Sequence, residues 1–309
     1  MIDIFQSDSF YDFLKGTGIL EPFRFSVFRK DREVGRIQGY TQKDGNFLKR
    51  YLSRRAIING GPYFDENITS EEIGALLRMC YSGLKNHVIY IESRNFKDYS
   101  LYKSVFEGVG FQYEPHYDFI INTSDPDLVD SRMGKSRKRD VKTSLKNGAS
   151  IVDEPSMDDL SAFYSILSDL YRRKVKTPLF PESFFLKLWE SPFSKFILVK
   201  YQERIVGGTL CVYDDETVYE WFACGEDGVY KNVFPSTVAT FYGIQFAVSN
   251  GFKRFDMMGA GSPGDGGYGV REFKAKFGGE LVEYGRFRYV ANRPLFVLGK
   301  IGVNMLKKF

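Results

Sequence analysis

Hydrophobic and polar positions along this chain follow two periods, one of strands and one of helices. Short runs rich in Phe, Tyr, Val and Ile, set between turn-forming residues, predict strands near residues 23–29, 34–40, 51–59 and 87–92. A further strand is expected within 111–122, interrupted or bent near Pro115. Helical spacing predicts helices over 9–15, 69–84 and 98–108. In the second of these Ile73, Leu76, Leu77 and Cys80 share a face, and Thr69 or Ser70 caps it. The second half repeats this grammar. Helices are expected over 157–174 and 181–190, adjacent strands over 195–201, 204–213 and 217–223, and a helix over 233–250 ended by Gly251. The dipeptides Gln202-Glu203 and Asp214-Asp215 mark hairpin turns. A short strand, a glycine-rich loop, a brief helical turn and a last strand follow over 251–283. This is a mixed α/β chain whose halves both end in a β–α–β unit, with a boundary near 123–130 where Asp and Pro concentrate.

Composition narrows the class. The chain's 309 residues are 43% hydrophobic, enough for one large or two ordinary cores. A net charge of +4 allows an anionic ligand without demanding one. Three cysteines with no close pair argue against a disulfide framework and against zinc, and a reducing cytoplasm fits best. Neither His87 nor His116 has metal-ligand spacing. The start, MIDIFQSDSF, lacks the basic segment and apolar core of a secretory leader. No window approaches the ~20 apolar residues of a spanning helix. The C-terminal stretch puts Leu295, Leu298, Ile301, Met305 and Phe309 roughly on one helical side among lysines. That pattern suits docking on its own domain, the favoured reading, and also peripheral contact with an anionic membrane surface.

Several residues are candidates for chemistry. Lys274 lies between Phe273 and Phe277, and an amine desolvated by aromatic rings can act on a developing negative charge. The same residues also fit a surface loop and a solvated lysine. Asp256 ends its strand where a carboxylate orients an amine or hydroxyl, or caps the loop. A basic run includes Lys135, Arg137, Arg139, Lys142 and Lys146, opposed only by Asp140. On a helix, Lys135, Arg139, Lys142 and Lys146 fall on one face, a cationic ridge suited to phosphates, with Val141 and Leu145 turned to the protein. Lys231 sits just before a helix start, a natural anion site. Trp221 fits a core or a groove wall better than a specific contact.

Asp256, the glycine loop and FKAKFGG together resemble the C-terminal half of the FemABX family, the aminoacyl-tRNA-dependent transferases of peptidoglycan bridge synthesis. The resemblance continues through GKSRKRDVKTSLKNGASI, ILVKYQERIVGGTLCVY, VYEWFACG and FPSTVATFYGIQFAVSNGFKRFD, in the family's order over most of residues 130–290. The N-terminal half resembles it chiefly through INGGPYF. The resemblance implies two tandem GNAT-like domains, each a mixed central sheet flanked by helices. They would span 1–125 and 126–309, the second carrying the basic linker helix and the C-terminal helix. It implies amide formation on a nucleotide- or lipid-linked glycan or peptide acceptor in the cytoplasm, with no cofactor, the C-terminal helix leaving open a place at the inner face of the membrane. It casts Lys274 as the stabiliser of negative charge on the reacting carbonyl, with Phe273 shaping the site. Gly60, Gly61 and Tyr63 would be an acceptor-side wall, or an ordinary turn. The donor is charged tRNA in this branch. Where GNAT enzymes grip coenzyme A this chain reads VYKNVFPST, without their glycine pattern, which counts against acyl-CoA. No sustained heptad stretch lies between 123 and 290, so the family's coiled-coil arm, an aid to tRNA docking, is not expected. A CoA-dependent N-acyltransferase and a non-catalytic RNA-binding protein remain as alternatives, and the oligomeric state is open.

Overall fold

A computed structural model describes residues 2–43, 51–152, 154–265 and 269–308, with side chains to residue 301. The helices, in chain order, are α1 (Asp8–Gly16), α2 (Ser70–Leu84), α3 (Lys103–Val109), α4 (Pro126–Arg132), α5 (Lys135–Lys146), α6 (Met157–Leu170), α7 (Glu182–Trp189), α8 (Pro235–Ser249), α9 (Gly269–Ala275) and α10 (Arg293–Lys308). The strands are β1 (Glu21–Arg29), β2 (Arg32–Gln42), β3 (Arg55–Gly60), β4 (Tyr63–Phe64), β5 (Tyr90–Asn95), β6 (Gln112–Glu114), β7 (Tyr117–Asn122), β8 (Ser150–Val152), β9 (Ser194–Tyr201), β10 (Arg204–Tyr213), β11 (Thr217–Gly225), β12 (Arg254–Asp256), β13 (Glu280–Glu283) and β14 (Arg286–Val290).

The chain forms two units, Met1–His116 with Glu283–Phe309, and Tyr117–Val282. The first holds a sheet in the order β1-β2-β3-β5-β14-β6, with β4 beside β2. Its β3 and β5 run parallel; their neighbours are antiparallel. Helix α2 begins in a capping box, where the Thr69 hydroxyl accepts from the Glu72 N–H and the Glu72 carboxylate accepts from the Thr69 N–H. Its expected apolar face is buried against Ile37, Ala56, Ile58, Ile91 and Phe287. The second unit holds the order β13-β7-β12-β11-β10-β9-β8, with β11 and β12 parallel. Helix α8 is apolar on every side because it packs on β9, β10 and β11 while α5 covers it. Gly243 lets it approach closely: a Cβ there would lie 3.1 Å from the Phe255 ring.

The run 111–122, expected to be interrupted or bent near Pro115, is interrupted there: it divides into β6 and β7, which belong to different sheets. The expected boundary at 125/126, by contrast, fails for the C-terminal segment. β14 pairs with β5 and β6, the Phe287 ring stacks on Phe106 at 4.0 Å, and Phe287 is fully buried in the first core. A strand from near the C-terminus therefore completes the first sheet, and β7 from the first half completes the second. Strand β3 starts at Arg55, so 51–53, read as strand, are helical instead, with Tyr51 and Leu52 exposed.

The hairpin between β9 and β10 turns through two residues with positive φ, Gln202 at 46° and Glu203 at 60°. Side chains with a Cβ are strained there, whereas Asn-Gly adopts this turn readily. Replacing the pair by Asn-Gly is expected to stabilise the second unit by about 1 kcal/mol, read as a higher unfolding midpoint in urea. The surface ion pair of Glu203 with Lys200, 2.7 Å, is worth too little to offset that gain.

Candidate functional site

The second unit concentrates buried charge where its parallel strands end. Tyr219 on β11 lies opposite Asp256 on β12, and Asp256 lies opposite Ile120 on β7. Beyond Asp256 the chain stays on β7, with the Met257 N–H donating to Phe119 O at 2.9 Å and the Ala260 N–H to Tyr117 O at 2.7 Å. It turns through positive φ at Met258 (51°) and Gly259 (64°). These left-handed steps point three successive carbonyls inward. The Lys274 amine donates to the carbonyls of Met257 and Met258, and to that of Gly259 at 2.9 Å. Three acceptors need three protons, so the group is an ammonium. Arg271, one helical turn earlier on α9, donates to Ala260 O at 2.9 Å and Ser262 O at 2.6 Å and stacks on Tyr117. Residues three apart share a helix face, and here both cations bind one loop. Gly266, Gly267 and Tyr268, in the same glycine-rich stretch, lie outside the described residues.

Three buried carboxyls compensate the ammonium. Asp118 on β7, Asp256 and Glu220 on β11 are all within its field. Burial pushes the Lys274 pKa down, and the three acids push it back. Asp256 Oδ1 accepts from the Met258 N–H at 2.7 Å. Its Oδ2 has no donor among the described residues and faces Asp118, so the pair is satisfied when one carboxyl holds a proton. Burial, then the Asp118 charge, raises the Asp256 pKa well above the ordinary carboxylate value. Burial also raises Glu220, which accepts from the Thr240 hydroxyl at 2.7 Å.

Lys274 and Asp256 are thus brought together, but the amine is caged by carbonyls and carboxyls rather than by rings. Phe273 turns away to stack under the Arg137 guanidinium at 4.3 Å. Arg137 also donates to the Thr237 hydroxyl at 3.1 Å, so it belongs to the interior. Lys135, Arg139, Lys142 and Lys146 are exposed along α5, as the helical spacing implied. Val141 and Ser144 face inward, while Leu145 is exposed. Lys231 is exposed, and Trp221 packs edge-on against Phe184 at 5.7 Å. In the first unit Gly60 and Gly61 both take φ of 79°, and a Cβ on either would lie 2.6 Å from Asp3 or Tyr99. They form a packed turn whose Gly60 and Pro62 carbonyls accept from the Tyr99 hydroxyl, while Tyr63, in β4, pairs with Arg36 of β2. Asp118, Glu220 and Arg271 escaped the sequence reading. The first two carried a signal, a lone acid inside an apolar strand run (Tyr117-Asp118-Phe119, Tyr219-Glu220-Trp221).

Lys274→Met removes the ammonium while keeping the stem. It leaves three carbonyls and the acids uncompensated and is expected to cost about 3–5 kcal/mol, measured by urea unfolding. Asp256→Asn mimics the protonated acid. Because the native Asp256 pKa is raised, its contribution to stability is full below the unfolded value near 4 and declines as pH rises through the native value. The Asn variant is expected to lose that decline, so that its stability matches wild type at pH 4 and exceeds it at pH 8.

The sequence model of the FemAB family matches residues 191–301, which contain β11, β12, the clamped loop and α9. No curated protein matches the chain. Among solved structures, FemX is 15% identical, covers 96% of this chain and 94% of its own, and superposes with a TM-score of 0.70. The L-PGS of Bacillus licheniformis is 16% identical over 96% and 92%, TM-score 0.60. A tandem GNAT protein from the clavulanic acid biosynthesis pathway is 10% identical over 88% and 84%, TM-score 0.59. At such identities the structural likeness is one of fold, and it agrees with the two mixed, helix-flanked sheets. With the family match over residues 191–301, which hold Glu220, Asp256 and Lys274, it supports reading the chain as a FemABX-like acyltransferase of the tandem GNAT type.

Proposed function

We propose that the chain moves an aminoacyl group from charged tRNA onto an amine of a peptidoglycan precursor or a related envelope glycan. The acceptor nitrogen attacks the ester carbonyl, the C–N bond forms, and the C–O bond to the tRNA ribose breaks. The proton lost by nitrogen ends on the ribose oxygen. No cofactor enters this balance. Orientation and electrostatics supply the rate without a covalent enzyme intermediate. Lys274 serves by holding the 257–259 turn in one shape and setting its field. Donation to a substrate oxyanion requires one of its three carbonyl partners to let go.

The observation that favours tRNA over acyl-CoA is the start of α8. The N–H of Ser236 donates to the Asp227 carboxylate at 3.2 Å, and the N–H of Phe234 to the Ser144 hydroxyl at 2.9 Å. Pro235 has no N–H to offer. A helix start already capped by the chain's own carboxylate repels a pyrophosphate. The exposed cations of α5 offer a site for an RNA backbone instead. No helix among the described residues is long and apolar enough to cross a membrane. Helix α10 docks through Phe296 on Tyr90 but leaves Val297, Leu298 and Ile301 exposed beside Lys300. This suits peripheral contact with the inner face of the membrane, where a lipid-linked acceptor resides.

The test supplies purified protein with radiolabelled aminoacyl-tRNAs or acyl-CoAs and with UDP-linked and lipid-linked muropeptides. Label is expected to pass from tRNA to a muropeptide. Transfer from acyl-CoA alone would overturn the donor, and no transfer from either would count against the reading. The double variant Arg139→Glu, Lys142→Glu is expected to raise KM for tRNA at least about tenfold and to flatten its salt dependence, with kcat little changed.

A further inference from the structure

The first unit carries a second charge cluster, opposite in sign and built on the sheet face that does not meet α2. Alternation along β5 turns Ile91 into the core and Tyr90, Glu92 and Arg94 to this face. Alternation along β14 likewise buries Phe287 and turns Arg286 and Arg288 outward. In register, Arg286 stands directly opposite Arg94, and Arg288 opposite Glu92. Like charges directly opposite on neighbouring strands destabilise a sheet unless something neutralises them.

The protein's own neutralisation is incomplete. Arg288 is engaged through all three nitrogens, donating to Glu92 (2.6 Å from Nη2) and to Glu114 (2.5 Å from Nη1). Glu92 also accepts from Arg94 Nε at 2.9 Å and lies 3.5 Å from Arg286 Nη1. Burial opposes its charge, but the three arginines outweigh burial and hold its pKa far below the carboxylate range. One buried carboxylate and one half-exposed one therefore face three guanidinium groups. Both Nη atoms of Arg94 lack a hydrogen-bond partner among the described residues, and its side chain is 36% exposed. Arg286 is 28% exposed and gives one Nη2 proton to the ring of His116. Each of its Nη atoms keeps a further proton. Burial and the neighbouring Arg94 both disfavour its charge.

We propose that Arg94 and Arg286 form an anion site that takes a diphosphate group, one guanidinium fork to each phosphoryl. Two opposed forks match two phosphoryl groups better than one carboxylate, and a planar guanidinium binds such oxygens through paired hydrogen bonds. A bound dianion would relieve the repulsion that Glu92 leaves uncancelled. Given the acyltransferase reading above, the diphosphate belongs to the acceptor, whether nucleotide-linked or lipid-linked.

Titration calorimetry of the full chain at low salt tests the site with no acyl donor present, so its result is independent of the transfer assay. Inorganic pyrophosphate is expected to bind saturably. Arg94→Gln and Arg286→Gln should each weaken it by at least about tenfold, while Arg139→Gln with Lys142→Gln leaves it unchanged. Glu92→Gln, which removes the internal competitor and keeps the shape, should tighten it, and pyrophosphate should restore the thermal stability that this variant loses. UDP binding tighter than geranyl diphosphate identifies a nucleotide-linked source, and the reverse a lipid-linked one. Absence of saturable binding, loss only in the α5 variant, or a Glu92→Gln affinity at or below wild type would overturn the proposal.

Discussion

The second unit is organised around the cost of keeping one ammonium dry. A lysine as buried as Lys274 stays charged only where its lost hydration is replaced, and three carbonyls and three acids replace it. That requirement fixes much else. The turn at Met258 and Gly259 must be left-handed for its carbonyls to converge. Asp118 and Asp256 can stand together when one of them holds a proton, which burial favours, and because a cation is near. Strands β7, β11 and β12 and helix α9 each contribute one member, so the register of the sheet and the placement of the loop are settled together.

The first unit shows the opposite arrangement on a comparable frame. Each sheet contains a parallel pair, β3 with β5 and β11 with β12, and each carries buried charge on a strand of that pair. In the second unit one cation faces three acids; in the first, Glu92 faces three arginines. The first cluster has its surplus cations partly in solvent, the second has its cation sealed by backbone. An open cationic cluster suits ligand recognition, and a sealed one suits the shaping of a loop.

Much of this was legible in the residues. The order of strands and helices, the Ile73, Leu76, Leu77, Cys80 face of α2, the exposed cationic ridge of α5 and the turn at Gln202-Glu203 all follow from local periodicity and turn chemistry. Lys274 and Asp256 drew attention as charges beside a glycine loop, and they do share a site. Their partners did not show. Asp118 lies 156 positions before Lys274 in the chain, and no local pattern links the two. Arg137 looked like one more surface cation in a basic run, yet it turns inward to Phe273 and Thr237.

The sequence by itself determined the elements, the class of the fold and the sign of the charge along each segment, because these depend on neighbours within a few positions. Only the tertiary structure decided which strands complete which sheet, that β14 closes the first unit and β7 the second, and that Lys274 spends its protons on a loop. It alone set Arg286 opposite Arg94, from strands nearly two hundred residues apart. Pairing between distant strands is selected by burial and register across the whole sheet, and a buried charge takes its meaning from whatever that pairing brings within reach.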